Sequence, residues 1–246
     1  MLFKFLQKKI VLDCFTTKSY AVEYAPINFA IKHIPDWWKN LPTSFVSDKN
    51  QFTEHGTMKG CVGMVDYYKK SIAVPLWSDL SIKIFQDKTF AWQFSDGETA
   101  AVQHPIKKQA TGFLNSYEHL KIDSPWLFKS EKDIYWLWSH PTYNYAHSND
   151  ICSIPGITSF YHQHATNINI MINVEKEKKI LIPQGKPMTL ITPMSDRKVE
   201  IVRHLIGVEE FIKLRDRSTT IKFISKYKEI IKRRKQFADC PYHKGK

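Results

Sequence analysis

The chain has 246 residues, 43% of them hydrophobic and 13% aromatic, with a formal net charge of +12. That composition supplies a large core and excludes a chain that stays unfolded, and the length suits one undivided β-rich domain. No apolar run reaches the roughly 18 to 20 residues of a membrane-spanning helix, and the start, MLFKFLQKK, is too short and too charged for a secretory signal, so a soluble cytoplasmic product is expected.

Four cysteines, Cys14, Cys61, Cys152 and Cys240, are far apart and form no CxxC pair. This argues against a disulfide framework or a zinc ribbon and predicts free thiols. The charge is unevenly placed. Residues 213–246 hold twelve Lys or Arg against three acids, leaving +9 there and +3 for residues 1–212.

Residues 9–15 (KIVLDCF) predict an opening strand buried on both faces. A short helix is expected through 28–33, ending near Pro35 because a proline pushes the residue before it out of the α region. Trp37 and Trp38 follow, and anchoring the N-terminal arm on the core is their expected role. Residues 43–57 are polar and without period, which predicts a surface loop.

Strands then follow in close succession. Residues 72–77 (IAVPLW) contain a proline suited to an edge or bulge, Leu80, Ile82 and Ile84 alternate with Ser81 and Lys83, and 89–94 (TFAWQF) precede an Asp96-Gly97 turn. After a His- and Gln-containing connection, 134–138 (IYWLW) predict a central strand covered on both faces. Residues 167–173 (NINIMIN) alternate, with Ile168, Ile170 and Ile172 facing the core and the asparagines facing solvent or a site. Further strands are expected at 179–182, 188–191 and 198–206, the first two joined by the turn 183–187 (PQGKP).

This pattern predicts a mainly β fold, a sandwich or barrel of short antiparallel strands, jelly-roll-like or β-clip-like, instead of a parallel α/β sheet. Residues 1–207 form the expected β-rich domain with its N-terminal arm. Residues 208–246 form a basic helical tail packed on it or projecting from it. One or two helical turns are expected around Phe211, Ile212 and Leu214. The main helix starts at Ser218, Thr219 or Thr220 and runs to about Ala238, with Phe223, Ile224, Tyr227, Ile230, Ile231 and Phe237 on its apolar face.

Residues 156–164 (GITSFYHQH) offer a metal candidate, because His162 and His164, two apart on a strand, point to one face and can share a divalent transition metal. The segment resembles the first cupin motif in its glycine-to-HxH spacing, and 183–185 (PQG) resembles the core of the second. Asn169 stands in the region of the glutamate a cupin supplies, and Met188 stands where the second-motif histidine would fall. No histidine has Asp or Glu two residues on, which argues against the facial triad of 2-oxoglutarate-dependent iron oxygenases. Residues 153–192 also resemble the end of a trimeric dUTPase barrel, without its catalytic aspartate and tyrosine in place. The sequence holds no GxSxG elbow, no GxxxxGK[ST] loop and no GxGxxG. In the tail, Lys226, Lys228, Lys232, Arg233, Arg234 and Lys235 form a cluster suited to phosphates or to an acidic protein partner.

Six segments, 30–39 (AIKHIPDWWK), 57–61 (TMKGC) with Asp66, 74–79 (VPLWSD), 124–126 (SPW), 139–141 (SHP) and 182–187 (IPQGKP) with 191–193 (ITP), come in a specific order and spacing. Together they resemble an uncharacterised domain-of-unknown-function family of phage and bacterial proteins common in marine tailed phages. The resemblance implies a phage origin and a β-rich fold, and it transfers no catalytic residue. Where relatives tend to carry GVVD, this chain has GITS at 156–159.

The expectation is a non-enzymatic phage protein without a cofactor, either a virion component or an accessory factor, in the host cytoplasm or the particle. Its expected partners are other phage or host proteins, a second copy of the chain among them, and no membrane. A cupin-like metal enzyme using His162 and His164, and non-specific nucleic-acid binding by the tail, are the alternatives.

Overall fold

The computed structural model describes residues 8–47, 50–104, 116–145, 149–161 and 165–216. Along β1 (Ile10–Thr16) every second side chain, from Ile10 to Thr16, is buried. The other face is half-covered, a correction to the expectation of a strand buried on both sides. There the ring of His204 stacks on Phe15 at 4.6 Å, and its Nε2 lies 2.8 Å from the Asp13 carboxylate.

β1 belongs to a six-stranded sheet with β8 (Ala101–His104), β9 (Tyr117–Lys129), β11 (Ile151–Ser153), β13 (Ala165–Asn173) and β16 (Val199–Leu205). The order is β11-β13-β9-β1-β16, with β8 also on β9. The β1–β16 pair is parallel and the others are antiparallel. Its ends are clamped by Arg197, whose guanidinium meets both Glu131 carboxylate oxygens at 2.9 Å and the carbonyls of Lys8 and Lys9.

Strand β9 falls where the sequence predicts only a connection. It changes partner at Pro125, pairing upstream with β8 and downstream with β1, while its ladder to β13 shifts register between Ala165 and Asn167. A proline has no N–H for a regular ladder, and the irregularity accommodates it. On β13 the three isoleucines are fully buried as expected. Each contributes about 1.5–3 kcal/mol on burial, and a one-residue slip would put two asparagines and Met171 in their places, so the register is strongly fixed.

A second sheet runs β12-β10-β15-β5-β2 and comprises β2 (Asn28–Phe29), β5 (Ile72–Pro75), β10 (Trp136–Ser139), β12 (Gly156–Thr158) and β15 (Pro187–Pro193). β5 is interior, and its proline sits at the strand end beside a register shift in β15. β10 is interior, with β15 and not β10 at the sheet centre, and it is covered on one face only, a correction to the expected central strand, since Tyr135 and Leu137 are 51% and 40% exposed. The third sheet, β14-β6-β7, pairs β6 (Leu80–Ile84) with β7 (Phe90–Phe94) and β14 (Lys178–Ile182). All three sheets send side chains into one core: Leu12, Ile122 and Phe128 from the first, Val74 and Trp136 from the second, Ile82 and Phe94 from the third. The sheets stay open, and among the described residues none closes into a barrel.

The outer face of the second sheet is covered by helices. Ala73 and Leu190 pack with Trp38 of α2 (Asp36–Lys39) and with Met64 and Tyr68, one turn apart on α3 (Val62–Lys70). Trp38 is buried, and the Trp37 indole donates to the Tyr143 carbonyl at 2.8 Å, so both tryptophans serve as anchors. The helix expected over 28–33 is instead β2 followed by a 3-10 turn at Ala30–His33. Two further helices are α1 (Ser19–Tyr24) and α4 (Val208–Asp216), the latter at the expected turns around Phe211.

In the 183–187 turn Gly185 adopts φ +81°, and its N–H donates to the Leu76 carbonyl at 2.7 Å. An added Cβ would meet only the Tyr24 carbonyl at 3.7 Å, an ordinary contact, so the cost of a side chain is conformational. Gly185→Ala is expected to lower stability by about 1 kcal/mol, measured by urea unfolding, with the fold unchanged.

Candidate functional site

The face of β9 opposite the core carries His119, Lys121 and Asp123, between the buried Leu120 and Ile122. β8 sets His104 directly across from His119, and β13 sets Asn169 across from Lys121 and Asn167 across from Asp123. These polar groups border a cleft of roughly 440 Å3, where the chain leaves β11 and crosses through Ile154 and Pro155 to β12. Trp138, Thr158 and Thr189 from the second sheet line it too.

The contacts within the cleft are specific. The imidazoles of His104 and His119 stack at 5.1 Å between centroids, 26° from parallel. His119 Nε2 lies 3.0 Å from Asn169 Oδ1, so in this pair the imidazole N–H donates. Burial, followed by the neighbouring positive groups, pushes the His119 imidazolium below the usual histidine range, against the opposing effect of the Asn169 bond. Asn167 is oriented by its neighbours: its amide nitrogen donates to Asp123 Oδ1 at 3.0 Å and its oxygen accepts from Lys121 Nζ at 3.3 Å. Asp123 also meets Arg215 of α4 at 3.4 Å. The Trp138 indole donates to Thr158 at 3.0 Å, which fixes the facing wall.

A third histidine stands beside the cleft in a different setting. His140 Nδ1 accepts from the Ser153 N–H at 3.1 Å, and its ring packs on Tyr145 at 5.1 Å. Burial pulls its imidazolium down to about 4. The Ser153 hydroxyl is buried and donates to the Met188 carbonyl at 2.9 Å. Ser153 Oγ also lies 3.2 Å from His140 Nδ1, so serine and histidine meet, and the bond to the Met188 carbonyl ties β11 to β15. Cys14 is buried, Cys152 is half-buried, and burial raises both thiols above their usual range, disfavouring thiolates. These two and Cys61 are free; Cys240 lies outside the described residues.

The predicted loop 43–57 is a two-stranded antiparallel hairpin, β3 (Ser44–Ser47) and β4 (Asn50–Gly56), a correction to the sequence reading. Among the described residues it pairs with no third strand. Its base is closed by the Thr57 N–H donating to the Thr43 carbonyl at 3.0 Å, and Phe45 contacts the His55 ring at 5.5 Å. Phe45 and Val46 remain 51% and 55% exposed.

His162 and His164 lie outside the described residues, as do Lys226, Lys228, Lys232, Arg233, Arg234 and Lys235 of the basic tail. The residues that the fold does bring together, His104, His119 and Lys121, are not among the sequence candidates. Their legible signal is the alternation of His119, Lys121 and Asp123 with Leu120 and Ile122. Compared with protein-family models, curated proteins and solved structures, the chain finds no match.

Proposed function

We propose that this chain is a non-enzymatic component of a tailed phage, associated with the virion or acting on it as an accessory factor, and that it works by binding other phage or host proteins. The observation that carries this reading is the β3–β4 hairpin. A two-stranded ribbon is marginal by itself, and this one leaves two large apolar side chains in water while its base is closed by the Thr57–Thr43 backbone bond. Covering Phe45 and Val46 with a protein partner would complete it.

Two further observations support the reading. The segments that resemble the marine phage family run through the body, from the tryptophans at 37 and 38 to the strand at 191–193. The serine and histidine pair nearest the cleft is used to hold strands together. The large sheets facing one core favour the sandwich form of the fold, with a jelly-roll-like or β-clip-like connectivity as its finer reading. The metal and nucleic-acid readings rest on His162, His164 and the tail, and stand as alternatives from the sequence.

The test is co-sedimentation of purified chain with phage particles. Phe45→Asp combined with Val46→Asp alters only exposed positions, so stability should change by no more than about 0.5 kcal/mol. The wild-type chain is expected to pellet with particles and the double variant to stay in solution. Equal pelleting of both would remove the hairpin from the interface.

A further inference from the structure

We propose that the cleft between β8, β9 and β12 is an oxyanion site, taking a small ligand that carries a phosphate group. The inference is independent of the protein-binding reading, which rests on the hairpin.

Three nitrogen-bearing side chains that can be cationic converge there from two neighbouring strands. His104 and His119 are held face to face by the β8–β9 register, and Lys121 follows two residues along the same face of β9. Among the described residues no Asp or Glu lines the cleft. Lys121 takes part in no ion pair among the described residues; the oxygen that meets it is the neutral amide of Asn167, and the nearby Asp123 is shared between that amide and Arg215. Stacking two imidazoles beside an ammonium is unfavourable when they are charged, and the arrangement becomes favourable once an anion sits among them. Apolar walls from Trp138, Ile154 and Ile168 lower the local dielectric and strengthen that attraction. Asn169 and Asn167 fix His119 and Lys121 in place before the ligand arrives, which reduces the ordering cost of binding. The cleft volume lies within the range of small-molecule sites, so it admits a phosphate together with a modest organic group.

The same geometry makes binding depend on pH. Among the described residues the titratable groups facing His119 are His104 on β8 and Lys121 on β9, while β10, β12 and β13 present Trp138, Thr158, Asn167 and Asn169, which do not titrate. An anion favours the protonated His119 imidazole, so binding takes up a proton there and tightens as pH falls from 8 to 6.

The experiment is a titration of the full chain followed through the histidine ring signals by NMR, with inorganic phosphate and a nucleoside monophosphate as probes at pH 6.5. Saturable shifts of the His104 and His119 signals at or below about 1 mM, a free-energy scale that three charge-assisted contacts can supply, are expected. Saturation by either probe supports the site, and the tighter of the two distinguishes free phosphate from a phosphate ester. Lys121→Gln should weaken binding at least about tenfold, and His104→Asn about fivefold, with circular dichroism unchanged, since each removes one charge-assisted contact. Sulfate, whose charge is constant over the range, should bind severalfold more weakly at pH 8 than at pH 6, because the bound anion holds on His119 a proton that burial drives off the free imidazole. Shifts that do not saturate at about 10 mM, weaker than any specific site of this contact count, would overturn the proposal. So would equal affinity in wild type and Lys121→Gln, because binding would then lie elsewhere, as on the basic tail.

Discussion

Replacing Trp136 by alanine is expected to destabilise the chain by about 4 kcal/mol, a large share of the 5–15 kcal/mol typical of a folded domain. Trp136 is fully buried on β10, an interior strand of the second sheet. Its ring lies 5.6 Å from Phe160, which in turn meets Phe128 of the first sheet edge-on at 5.1 Å. The indole therefore belongs to the contact chain that joins the two large sheets, and its loss leaves a cavity that neither rigid sheet can collapse to fill.

Trp136→Phe should behave differently. Among the described residues no acceptor meets the buried Trp136 Nε1, so phenylalanine removes an uncompensated donor along with some volume. The two effects oppose each other, and a net cost below about 1.5 kcal/mol is expected. Urea midpoints followed by far-ultraviolet circular dichroism check both variants. A cost below about 1 kcal/mol for Trp136→Ala would contradict the shared core of the two sheets.

The second large effect is a loss of stability in mild acid, traced to His140. In the folded chain burial holds its imidazolium near 4, and the ring accepts the Ser153 N–H at Nδ1. In the unfolded chain a histidine titrates near 6.5. Because the folded value is the lower one, the unfolded state takes up a proton that the folded state refuses between these two values. Stability is thus fully present above about pH 6.5 and falls as pH drops toward 4, by on the order of 1 kcal/mol between pH 7 and pH 5 once solvent screening of the partly exposed ring is allowed for. His140→Asn keeps an acceptor for Ser153 and cannot titrate, so its stability should fall less over the same interval. His33 and His119 are shifted downward by burial as well and remain in the variant, so a residual slope is expected. Identical slopes for wild type and His140→Asn, measured by urea unfolding at pH 7 and pH 5, would show that His140 is not held neutral by the fold.

Strands that bury one face were legible in the sequence because burial imposes a period of two. β6 and β13 announce themselves through Leu80, Ile82, Ile84 and through Ile168, Ile170, Ile172. The hairpin was not legible for the complementary reason: Phe45, Val46, Glu54 and His55 are exposed, so no apolar alternation marks its strands. β9 was missed because Ser124 and Pro125 interrupt an alternation that resumes with a different partner strand, information held by the topology and not by the segment. α3 buries only Met64 and Tyr68, too short a stripe to stand out beside Gly63 and the β-branched Val62 and Val65.

The same reasoning explains the candidate site. His104 and His119 are 15 residues apart in sequence and become neighbours only through the β8–β9 register, so no local motif could pair them. Asn169, by contrast, was visible as a polar position on an alternating strand, and the structure gives it a partner in His119.

The measurement that bears most directly on the proposed function is quantitative mass spectrometry of gradient-purified particles of the phage proposed to encode this chain. A virion-associated protein is expected in a fixed ratio to the other particle proteins, unchanged by further gradient steps. Absence from purified particles, together with no binding of the purified chain to them, would contradict the reading.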